Sequence, residues 1–147
     1  MTSDRNITTF IGAALLGAVV GCSGEFPLAS VSGVVTLDGK PLENATVFFQ
    51  PQAKGTESVV GPPSIGVTDA TGKYSVATHK LGSGAVVGDH TVSISTFELR
   101  MKDPQNSDAV EVLSPERVPD RYRSPSELSF QVTSRGSDEA NFDLTTN

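Results

Sequence analysis

The chain has 147 residues, with 17 acidic against 11 basic side chains, a net charge of −6 and one cysteine, Cys22. With no Lys/Arg-rich block, its average field repels a phosphate backbone, which excludes nucleic acid as a partner, and a single cysteine excludes an internal disulfide. Seven Phe, two Tyr and no Trp leave the core to Val, Leu, Ile and Phe, while 14 Gly and 9 Pro suit short strands joined by turns in one domain.

The chain opens on an export segment, residues 1–21. Its strictly apolar run, residues 10–20, is shorter than the ~20 residues a bilayer-spanning helix needs but fits the helical core of a signal peptide. Arg5 is the only basic side chain before it, and Asp4 opposes that charge. The run ends Val19-Val20-Gly21-Cys22, which resembles the cleavage box of bacterial lipoproteins. The resemblance implies acylation of Cys22, the one site residue the sequence nominates, and anchoring to a membrane through those chains. Each buried CH₂ contributes ~0.8 kcal/mol, so two or more acyl chains hold where one does not. The competing readings are an ordinary secretory signal with a chance cysteine, or a short core helix. Ser23 rather than Asp follows the cysteine, which in the enteric sorting rule favours the outer membrane.

Residues 22–29 read as a lipidated tether and 30–147 as a single β domain. Val31, Gly33, Val35 and Leu37 alternate ahead of Asp38-Gly39, a strong hairpin signal, and Ala45, Val47 and Phe49 alternate after it. Strands are expected at 31–37 and 45–50, joined by more than a two-residue turn because Pro41 lacks an amide donor. Residues 52–63 form a loop. Strands at 64–68 and 74–78 bracket the Asp69–Gly72 turn, and a glycine-rich loop at 81–88 leads to a strand at 90–95. The last strands fall at 128–133 and 141–144. Between them lies a long loop, 96–125, whose part 103–109 is polar and whose part 118–125 has the bulk to pack back on the domain.

Seven short strands define an all-β chain and a single seven-stranded Ig-like or transthyretin-like β-sandwich, preceded by the N-terminal signal helix. Leu37-Asp38-Gly39-Lys40-Pro41-Leu42, Ala45-Thr46-Val47-Phe48-Phe49, Thr68–Tyr74, Gly88–Ile94 and Val118-Pro119-Asp120-Arg121-Tyr122 resemble the carboxypeptidase regulatory-like, transthyretin-like domain of small bacterial lipoproteins. His90 departs from that pattern, where Tyr is commoner. The resemblance implies a binding, display or structural role in the cell envelope with no inherited active site, and it carries over no functional residue.

A search for chemistry points the same way. Asp69–Tyr74 lacks the alternating ligands and terminal Glu of a calcium loop. Gly82, Gly84 and Gly88 precede a strand, so no helix N-terminus is there to hold a phosphate. His90 is in phase with Val92 and Ile94, as a core histidine would be, and His79 falls after a strand, in solvent. Tyr122-Arg123-Ser124 is similar to the ending of transthyretin-like hydrolases but lacks their glycine. The reading is therefore a non-catalytic module without metal or cofactor, acting on an envelope protein or a glycan through the loops 52–63 and 96–125. A carbohydrate or cell-wall role is the second reading and a hydrolase the third. Asp and Glu, Glu116 among them, read as scattered surface charge, and the sequence leaves the oligomeric state open.

Overall fold

The computed structural model describes residues 26–56, 60–103 and 106–147. The export segment, Cys22 and the first part of the tether lie outside the described residues. The chain is all-β. Its strands are β1 (Leu28–Ala29), β2 (Ser32–Leu37), β3 (Lys40–Pro41), β4 (Thr46–Pro51), β5 (Ser64–Val67), β6 (Lys73–Ser75), β7 (Ala77–Thr78), β8 (Gly82–Ser83), β9 (Ala85–Val86), β10 (Gly88–Ser95), β11 (Glu98–Asp103), β12 (Asn106–Ser114), β13 (Leu128–Val132) and β14 (Phe142–Leu144), with a 3-10 turn at Asp120–Tyr122. The larger sheet runs β13-β10-β4-β5-β7-β8, and a smaller one centres on β2, flanked by parallel β14 on one side and by β3 and β6 on the other.

Period-2 alternation decides which side of each sheet is buried. Val47 and Phe49 of β4 and Val92 and Ile94 of β10 face inward from the larger sheet. Val35 of β2, Tyr74 of β6 and Phe142 and Leu144 of β14 meet them from the smaller one, in a single cluster. Phe49 is the hub. Its ring lies 5.7 to 6.4 Å from the rings of His90, Phe130, Phe142 and Tyr74, mostly edge-to-face, the geometry in which aromatic quadrupoles attract.

Every one of the seven expected strands is present, but the count departs from seven. The stretch 74–78 is two strands, because the chain changes sheets at buried Val76: β6 pairs with β2 and β7 with β5. Leu28–Ala29, expected as the end of the tether, already pair with β9, and Ala29 sits in the core. The glycine-rich loop 81–88 supplies β8 and β9.

The Asp38-Gly39 turn differs from expectation in two ways. It is a tight two-residue turn, with Leu37 opposite Lys40 and both turn residues at positive φ, 51° and 76°, as a type I′ hairpin demands. Pro41 is harmless there. It sits opposite Thr36, and the next ladder bond runs from the Leu42 amide to the Val35 carbonyl at 3.0 Å. The partner strand is then only β3; β4 continues into the other sheet beside β5 and β10.

The largest difference is in 96–125, expected to be a loop. Glu98–Asp103 and Asn106–Ser114 pair as an antiparallel hairpin, β11–β12, which takes in most of the stretch expected to be merely polar. The later part packs back as expected, with Val118 and Tyr122 buried in the core.

Candidate functional site

The incoming chain and the β11–β12 hairpin lie at opposite ends of β10. The Val87 amide donates to the Pro27 carbonyl at 2.9 Å, and Leu28 pairs with Val86, so the chain joins the domain beside the start of β10. The hairpin leaves from its other end, after Ser95. Eight residues of strand separate them by about 23 Å. This geometry also sets most of the two loops nominated from sequence apart. The Gln52 amide donates to the Asp89 carbonyl, and Gly61 lies against Phe26 and Val86, so the described part of 52–63 belongs to the end where the chain comes in. The stretch 96–125 starts from the far end and runs back along the larger sheet, so the two loops meet only at their margins, where Gln52 and Ser124–Pro125 line one groove.

The base of the hairpin is closed by Glu116. One carboxylate oxygen accepts from the Thr96 amide at 3.1 Å, the Arg117 amide at 2.9 Å and the Val118 amide at 2.8 Å. The other accepts from the Ser95 hydroxyl. Thr96, 1% exposed, completes the clasp by donating its hydroxyl to the Pro115 carbonyl and accepting from the Arg117 amide. Partial burial alone would raise the Glu116 pKa, but hydrogen bonds from Ser95, the Val118 amide and Thr96 outweigh it and hold the carboxyl below its usual range. The sequence placed Glu116 among surface charges. Its only prior signal was its position after a proline, at the close of an apolar-alternating run.

On the hairpin itself, Leu99 stands opposite Val112 and Met101 opposite Val110. Directly opposed residues share a face, as do residues two apart, so these four side chains form one apolar surface. Each is about half exposed, from 48% to 57%. The reverse face carries an ion pair, Arg100 to Glu111 at 3.0 Å.

Beside the base, the outer face of the larger sheet forms a groove of about 530 Å³, lined by Phe48, Gln50, Gln52, Thr91, Ser93 and Ser124–Ser126. Arg123 borders its continuation and pairs with Asp120.

The structure keeps the hydrolase candidates apart. His90 is 2% exposed on the core side of β10, against Phe49, while Arg123 borders the outer face of the same sheet and His79 is exposed after β7. The His90 Nδ1 lies 3.1 Å from the Gly88 carbonyl, and its Nε2 finds no partner among the described residues. Burial lowers the His90 pKa against the opposing influence of that carbonyl and of Asp89. Asp69 is committed to its turn: Oδ1 accepts from the Thr71 amide and hydroxyl and from the Lys73 amide. Among the described residues, no group of three or more His, Cys, Asp or Glu side chains is placed to hold a metal.

No family profile matches the chain, and no curated protein does. Among solved structures, a 9R-lipoxygenase from Cyanothece PCC8801 is similar over 81% of this chain and 16% of its own, at 17% identity and a TM-score of 0.36. The chain thus spans about a sixth of that enzyme's length.

Proposed function

We propose that this chain is a non-catalytic, lipid-anchored module of a bacterial cell envelope, a transthyretin-like β-sandwich of the carboxypeptidase regulatory-like kind that holds a binding surface away from the membrane. Acyl chains on Cys22 anchor it, and three residues, Ser23 to Glu25, separate that anchor from Phe26, whose ring lies against Gly61. Three extended residues span only about 10 Å, so the domain is held close to the lipid by its Phe26 end. One observation carries the reading: the hairpin and the incoming chain sit at opposite ends of β10, so whatever holds the one end presents the other. The outer membrane is the favoured location, with Ser23 after the cysteine supporting it.

The test is fractionation of cells making the full chain. Membrane retention that is lost in Cys22→Ala supports the anchor, and equal retention of both overturns it. A second reading, glycan binding, is favoured by the groove of hydroxyls with Gln50 and one aromatic ring, Phe48. A Phe48→Ala variant that binds cell-wall polysaccharide as well as the parent does would dismiss it.

A further inference from the structure

We infer that the groove on the outer face of the larger sheet is a binding site for an uncharged polysaccharide, taken along its chain rather than at a single ring. This deepens the glycan reading given above and rests on it. The strand register builds the floor. Phe48 stands opposite Ser93 and Gln50 opposite Thr91, so β4 and β10 send matched pairs of side chains outward. Ser124–Ser126 form the wall. Past Phe48 and Ser93 the groove continues to Thr46 and Ser95, themselves opposite each other. It therefore follows the six residues of β4, about 20 Å, instead of closing into a pocket for one ring.

The lining selects the chemistry. None of the described residues that line the main groove is charged. The continuation holds one charged side chain among them, Arg123, and Asp120 already pairs with it. An ionic ligand finds no free counter-charge there. Instead the hydroxyls of Thr91, Ser93, Ser124 and Ser126 and the amides of Gln50 and Gln52, groups that both donate and accept, surround one aromatic ring, Phe48. The fold has already set two of them. Ser126 Oγ accepts from the Leu128 amide at 3.1 Å, which leaves its hydroxyl proton to donate. The Gln52 side-chain nitrogen donates to the Gln50 and Pro51 carbonyls, which leaves its Oε1 to accept. A sugar ring is the complement of such a surface. Its rim of hydroxyls both donates and accepts, and its C–H face packs on an aromatic ring.

Other occupants fit less well. A peptide that binds a sheet through its main chain adds a strand at an open edge, but β4 lies between β10 and β5, and β10 between β4 and β13. A lipid chain needs a predominantly apolar lining, and this groove offers one ring and Pro125.

The test titrates the purified full chain, in mild detergent, by calorimetry. The probes are cellohexaose, maltohexaose and chitohexaose, the acidic hexagalacturonate, and the single sugars glucose and N-acetylglucosamine. The expected result is that one or more of the neutral hexasaccharides binds about tenfold or more tighter than hexagalacturonate and than either single sugar. Phe48→Ala should weaken that binding about tenfold, and Thr91→Val, which removes a hydroxyl at constant shape, about threefold. Thermal melts report whether each variant is folded, and Thr91→Val decides alone where Phe48→Ala is not. Preference for hexagalacturonate, or a single sugar bound as tightly as its hexasaccharide, would overturn the inference and leave the glycan reading standing. Binding of none of the probes, or binding unchanged in the folded variants, overturns both.

Discussion

Glu116 and His90 respond to acid for different physical reasons. Glu116 is charged and fully engaged: its carboxylate accepts from three backbone amides and the Ser95 hydroxyl. Replacing it with Gln keeps an acceptor but removes the charge, so Glu116→Gln should cost about 1–2 kcal/mol at pH 7, discounted for partial solvent exposure. Its folded pKa lies below the ordinary 4.5. The stabilisation is thus complete above about 4.5 and disappears as the pH falls through the lower folded value. Denaturant unfolding of parent and variant should converge over that interval. His90 is the reverse case, a group held neutral. Below its ordinary 6.5 the unfolded chain takes up a proton that the folded chain refuses, so stability falls as the pH drops from about 6.5 toward the lower folded value. His90→Phe keeps the ring against Phe49 and removes Nε2, which has no partner among the described residues, along with the bond to Gly88. It should stay within about 1 kcal/mol of the parent at pH 7 and lose the slope in stability between pH 6.5 and the folded value.

The opening hairpin shows how much an element's sequence discloses and where it stops. Gly33, inside β2, and Gly39, just past its end, resist substitution for unrelated reasons. At Gly39, φ is +76° with nothing within 4 Å of a built Cβ, so Gly39→Ala should cost about 1–2 kcal/mol, from backbone strain alone. At Gly33 a Cβ would fall 2.0 Å from the Ala140 carbonyl oxygen, a collision with backbone that no rotamer relieves. Gly33→Ala should cost about 3 kcal/mol or more, and thermal melts of the pair should rank them in that order. The first cost is readable from Asp-Gly between alternating strands; the second depends on residues 107 positions away and is not. The same division runs through the fold. Inward-facing Val35, Val47, Phe49, Val92, Ile94, Phe142 and Leu144 were legible, since alternation is local. That β2 pairs with β14 and β6 rather than β4 was not, because an Asp-Gly turn specifies only the residues it joins. The β11–β12 hairpin escaped notice because Pro104 and a run of polar residues interrupt its pattern, and its register shifts between Glu98 and Leu99 break the alternation further. Glu116 was hidden for a like reason: a carboxylate's role depends on which amides the fold aims at it.

At the scale of the whole molecule, the core and the proposed working surface share no residues. Every member of the buried cluster lies outside residues 97–115, the nearest being Ile94 and Val118. The hairpin is held to the domain at its base, through Thr96, Pro115 and Glu116, and its apolar side chains remain half exposed. Removing it should therefore cost the sandwich little. Replacing residues 98–114 by Asn-Gly leaves Ser95, Thr96 and Glu116 in place to reclose across a short turn of the kind that suits a hairpin. No residue of the buried cluster is lost, and a shorter connection lowers the closure entropy modestly, by about 0.6 kcal/mol for each halving of its length. The shortened chain should melt within about 5 °C of the parent, since 1 kcal/mol moves the midpoint of a domain this size by only a few degrees. Its membrane retention should be unchanged. A drop of 15 °C or more would instead mean that the hairpin is an integral layer of the fold, which its isolation from both sheets argues against.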